Sequence, residues 1–132
     1  MYTAQHLNDR VRRLPWAATI LQDLRHTVRT AVARGVTIPA ADDLSGWAHN
    51  FTCGRCAERH TFAVESPGPF ICIHCGHSDN SQDHREAWIY CLNLHQITTA
   101  VSACIIVSCD DDLAALAYAR DTLLGYGQRY RQ

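Results

Sequence analysis

Cys53-Gly-Arg-Cys56 and Cys72-Ile-His-Cys75 form two Cys-x-x-Cys pairs, with fifteen residues, 57–71, between them. Two residues between cysteines let one tight turn aim both sulfurs at a single ion. Two such turns supply the four thiolates of a tetrahedral zinc site. Gly54 and Gly76 suit these turns, and Gly76, directly after the second pair, can take the positive φ that ends a zinc knuckle. Four sulfurs close the coordination shell, so the expected Zn2+ is structural and contributes folding free energy, not catalysis. Disulfides, or plain burial of small side chains, are the competing reading, but the doubled spacing is that of a metal site. His60, His74 and His77 lie close by in sequence. Either His74 or His77 could replace a cysteine in a set of three sulfurs and one nitrogen, although a set of four cysteines is the expectation.

A second set of reactive types is Tyr90, Asn93 and His95, inside a stretch from Ala87 to Cys109 that holds no Asp, Glu, Lys or Arg. His95 could act as general acid or base, with Asn93 orienting a carbonyl and Tyr90 donating a proton. The plainer reading makes His95 a core histidine bonded to a neighbour. Cys91, Cys104 and Cys109 sit among apolar residues and read as core filler. Asp110-Asp111-Asp112 could hold a cation, but a carboxylate at a helix start is more often a cap.

Helices must position these groups. Residues 3–13 carry a short helical pattern, and Pro15-Trp16 opens a second helix, proline being harmless where an amide would have no partner. Ile20, Leu21, Leu24, Val28, Ala31 and Val32 fall on one face, and Gly35 ends the run. Thr61–Val64 and Pro69–Ile71 read as two short strands turned by Ser66-Pro67-Gly68-Pro69. A long helix is expected from about His84 to Ser108, and a last one folds back on it through Leu113, Leu116, Ala117, Leu123 and Leu124. The expectation is one compact, mainly α domain of antiparallel helical hairpins with an inserted zinc ribbon. It comprises residues 1–46 as N-terminal helices and loop, 47–80 as ribbon, and 81–132 as helical hairpin.

Length and charge narrow the class. A chain of 132 residues can bury a modest core. A net charge of −1, with twelve dispersed arginines and no lysine, gives no basic stripe, so no nucleic acid partner is expected. The N-terminus lacks the apolar stretch of a secretory signal and the cysteine count is odd, so a reducing, cytoplasmic location is expected. No membrane partner is expected, because Asn93, His95, Gln96, Thr98 and Thr99 would lie at the centre of a bilayer.

Three motifs then carry a resemblance: Arg13-Leu14-Pro15-Trp16-Ala17, Trp47-Ala48-His49-Asn50 at the ribbon's entry, and the closing run from Ala119 to Tyr130. Glu86-Ala87-Trp88 agrees as well. In this order the chain resembles the N-terminal region of heparinase II/III-like, alginate-lyase-like polysaccharide lyases with an α/α toroid. The resemblance implies helical hairpins that begin such a toroid. It does not bring the chemistry along, since the family's catalytic Tyr and His have no counterpart here. The helix after Trp88 also carries Ile89, Cys91, Leu92 and Leu94 where polar, sugar-facing residues stand in the family.

Two functions follow as expectations. One is a zinc-binding helical module without lyase chemistry, acting through a homo-oligomer or a companion protein because helices that normally pack on both sides leave apolar surface bare. The alternative is a small standalone enzyme, taking a small-molecule substrate in an inter-helix cleft around Tyr90, Asn93 and His95.

Overall fold

The computed structural model describes residues 4–130, which form two compact units: Pro39–His95, and the residues on either side of it. Four helices dominate, α1 (Ala4–Arg13), α2 (Pro15–Arg34), α3 (Gln82–Asp110) and α4 (Leu113–Arg129), with a two-stranded sheet of β1 (Phe70–Ile71) and β2 (Ser78–Asp79). The unbroken α3 gives its first half to one unit and its second half to the other.

In the unit built from the two ends of the chain, Arg10, Arg12 and Arg13 lie in the last turn of α1, where positive charge meets the negative end of the helix. Pro15 starts α2 as its first helical residue. Gly35, at φ 85, ends α2 and returns its N–H to the Ala31 carbonyl. Leu21, Val28 and Ala31 of the expected face are buried, Leu24 and Val32 pack beside them, and Ile20 is left exposed. Ala100, Ala103 and Ile106 of α3 complete this core with Ala115, Tyr118 and Ala119 of α4.

The face of α4 differs from expectation. Leu113, Leu116, Leu123 and Leu124 point to solvent, while Ala115, Tyr118, Ala119, Thr122 and Tyr126 are buried. Both rows repeat at helical spacing, and the row with small residues lets the helix come closer to the core, with two tyrosines filling the wider gaps. Asp111, at φ 52, separates α3 from α4, and Asp112 caps α4 by accepting from the N–H groups of Ala114 and Ala115, each at 3.0 Å. Asp110 is held by Arg25, with Nε to Oδ2 at 2.7 Å. Asp112 is the helix cap that the capping reading expects, and Asp110 has an ion-pair partner besides.

Gln96, a polar residue buried in α3, ties this unit together. Its side-chain amide donates to the Thr37 carbonyl, and its Oε1 accepts from the Thr37 N–H and from the Tyr118 hydroxyl, both at 3.4 Å. A buried amide must find such partners or cost stability.

In Pro39–His95 a short 3-10 turn, Ala48–Asn50, leads into the cysteine region. The strands are not those expected. Residues 61–64 form no strand; β1 instead pairs antiparallel with β2, Phe70 opposite Asp79 and Ile71 opposite Ser78. An isolated antiparallel bridge joins Thr52 to Arg59. Each Cys-x-x-Cys turn is thus the tip of its own small hairpin, in place of one hairpin strung between the two. The core beneath is Phe51, Phe70, Ala87, Trp88, Ile89 and Leu92, with Phe62, Val64 and Cys91 against it.

By length and composition α3 could cross a membrane. Its Ala87, Trp88, Ile89 and Leu92 are buried in one core and its Ala100, Ala103 and Ile106 in the other.

Candidate metal centre

The two hairpin tips bring Cys53, Cys56, Cys72 and Cys75 together, their sulfurs all within 4.8 Å of one another. Two contacts cross between the tips, Cys53 to Cys75 at 3.6 Å and Cys56 to Cys72 at 3.5 Å. A tetrahedron of sulfurs about 2.3 Å from a zinc ion has an edge of about 3.8 Å, so the spacing fits. A disulfide needs sulfurs about 2.0 Å apart, and all seven cysteines are free thiols. No histidine among the described residues belongs to the cluster: His74 is exposed, with Nε2 3.9 Å from a Glu58 carboxylate oxygen. The four thiols can therefore hold a metal ion such as zinc.

The two tips repeat one backbone design. Cys53 accepts at its carbonyl from the Ala57 N–H at 2.8 Å, and Cys72 accepts from the Gly76 N–H at 2.9 Å. Across each hairpin the Cys53 N–H donates to the Glu58 carbonyl and the Cys72 N–H to the His77 carbonyl. Gly76 takes φ 67, as expected of the residue after the second pair. Ala57 takes the same role after the first pair at φ 60, and its side chain masks it in the sequence, because the left-handed region is costly for a residue with a Cβ.

Backbone amides also point at the sulfurs, the Arg55 N–H lying 3.4 Å from Cys53 Sγ. Desolvation alone would raise the Cys53 thiol. The amides of Cys56 and Arg55 and the neighbouring thiols outweigh it and bring Cys53 down to about 6. Cys56 accepts from the Glu58 amide, but desolvation and the crowding sulfurs of Cys72, Cys53 and Cys75 prevail and push it up to about 12. Cys75, supported by the His77 amide, is raised in the same way. A cation beside the sulfurs would favour the thiolate forms of Cys56 and Cys75, which burial and crowding disfavour.

The same unit holds a cluster of aromatic and histidine rings. His84 is fully buried between Phe51 and Phe70, at ring separations of 5.0 and 4.5 Å, and His60 packs on it at 4.5 Å. Asp79 Oδ2 lies 3.5 Å from His84 Nδ1. Burial holds His84 below the ordinary histidine range despite Asp79, and His60 adds to the lowering. The segment between the tips is anchored separately, by the Trp88 indole N–H donating to the Ala63 carbonyl at 3.0 Å.

Tyr90, Asn93 and His95 all lie on α3. At about 100° per residue, Tyr90 and Asn93 are about 60° apart on the helix, whereas His95 is about 140° from Tyr90. His95 turns toward Phe62, with ring centroids 5.7 Å apart, and Tyr90 is partly exposed. The helix does not gather the three on one face. Comparison with protein-family models, curated proteins and solved structures found no match for the chain.

Proposed function

We propose that the chain is a zinc-binding helical module without polysaccharide-cleaving chemistry, in which a structural Zn2+ on Cys53, Cys56, Cys72 and Cys75 locks two hairpin tips onto the helical core. It works through an oligomer or a companion protein, in the cytoplasm, with no nucleic acid or membrane partner. The observation that carries the reading is the cluster of four cysteines, whose thiolates could fill all four positions of a tetrahedral ion and leave none for a substrate. The unit it serves has fewer than sixty residues and a sheet of two residues per strand, a size at which a staple is commonly needed. Large apolar side chains left exposed on α3 and α4 support action through a partner surface.

Kinship with the N-terminal part of heparinase II/III-like lyases belongs to this proposal. It rests on the motifs around Pro15, Trp47 and Tyr126 and on the order of helices around the ribbon. The dispersal of Tyr90, Asn93 and His95 around α3 favours the non-catalytic reading over a small enzyme at those residues.

Incubating the metal-loaded chain with alginate or heparan sulfate tests the reading. No unsaturated uronate should accumulate, as followed by its ultraviolet absorbance. Accumulation that His95→Ala abolishes would replace the module with an enzyme.

A further inference from the structure

Six of the exposed residues of α3 form one row, with the exposed Thr98 and Ile105 beside it. Tyr90 (39 %), Leu94 (53 %), Ile97 (40 %) and Val101 (55 %) are exposed, as are Cys104 and Ser108. Their spacing is four, three, four, three, four, the a/d repeat of a coiled-coil seam. Such a row asks for another helix of the same repeat, because each side chain must enter a hole between four side chains of its neighbour. As α3 is unbroken, the row is a property of one helix.

The row also says which helix. Of its flanking positions, Cys91, Ala100 and Val107 belong to or pack against the chain's own cores, and the three nearer solvent, Asn93, Thr98 and Ile105, carry no charge. A partner helix with the usual charged flanks would find nothing to pair with and would lose hydration for no return. A second α3 has the same uncharged flanks.

Size complementarity fixes the direction. The row is symmetric about the level of residue 99, so two antiparallel copies place Tyr90 opposite Ser108, Leu94 opposite Cys104, and Ile97 opposite Val101. The largest side chain meets the smallest, and the middle layers are of similar volume, as close packing requires. A parallel pair would set Tyr90 against Tyr90 and Ser108 against Ser108, overfilled at one end and hollow at the other. Antiparallel helix dipoles also attract. The exposed leucines of α4 make no rival seam, since Arg120 interrupts them.

We infer that the face of α3 running from Tyr90 to Ser108 is the contact of a two-fold dimer, covered by the antiparallel α3 of a second copy. The inference deepens the oligomer named in the proposed function and rests on that reading.

Sedimentation equilibrium of the reduced, metal-loaded full chain tests it, together with metal content on the same sample. A mass twice 14.8 kDa is expected. Val101→Glu should weaken the dimer about tenfold or more by burying a charge, with helicity and metal content unchanged. If Val101→Glu loses helicity, Ile97→Asn decides, a helical monomer supporting the contact and an unchanged dimer overturning it. Leu94→Cys, oxidised in the dimer, should link to Cys104 of the other copy. Links joining Cys104 to Cys104 would overturn the antiparallel register. A metal-loaded monomer would overturn the contact, and so would a monomer that floats with phosphatidylcholine–phosphatidylglycerol vesicles, which would make the row a lipid-facing surface. A dimer that forms equally well without metal would leave this contact standing and count against the zinc reading instead.

Discussion

Cys72→Ser is expected to abolish metal binding and unfold the unit spanning Pro39–His95. Cys72 is buried, its sulfur is 3.5 Å from Cys56, and its backbone forms the hairpin of the second tip on both sides. A structural zinc ion contributes on the order of 10–16 kcal/mol in small peptides, which matches or exceeds the whole stability of about 5–15 kcal/mol typical of a domain. A unit with so little sheet has no reserve to absorb that loss. Amide hydrogen exchange should show residues 51–80 losing protection in Cys72→Ser. Cys104→Ser, at an exposed position on α3, should leave metal content and ribbon protection as they are. A Cys72→Ser protein with full ribbon protection would mean that packing alone holds the tips.

The second large effect is expected at Trp88. Its ring is buried with Phe51, Ile89 and Leu92, stands 6.2 Å from Phe62, and its indole N–H satisfies the Ala63 carbonyl. Trp88→Ala removes the ring and the hydrogen bond together and should cost about 3–5 kcal/mol in denaturant unfolding followed by circular dichroism. Trp88→Phe keeps most of the volume and should cost about 1–2 kcal/mol, the share of the lost bond. Equal costs for the two variants would show that the bond, not the packing, anchors the segment between the tips.

The helices were legible because their signals are local. Pro15 and Gly35 bound α2 where fixed φ and positive φ require, and the aspartates end α3 and cap α4. The cysteines were legible because their spacing leaves few other chemistries. Strands of two residues, by contrast, are too short to show an alternation, and Thr61–Val64 has the composition of a strand without a partner. What sets the pairing is the pair of tips, each of which closes its own hairpin. The buried face of α4 is hidden in the sequence for a different reason. Leu116 and Leu123 outrank Ala115 and Ala119 in apolar area, but the sequence does not state how closely the helix must approach the core. Gln96 and His84 were hidden because a polar side chain signals exposure unless its partners are known, and those partners lie at Thr37, Tyr118 and Asp79, outside the local pattern around each residue.

The central claim is that four cysteines hold one structural zinc ion. The most direct measurement is the metal content and X-ray absorption spectrum of the chain purified under reducing conditions. One zinc per chain with four sulfurs at about 2.3 Å is the predicted result. Less than about half a zinc per chain in a fully folded protein, or a nitrogen in the coordination shell, would contradict it.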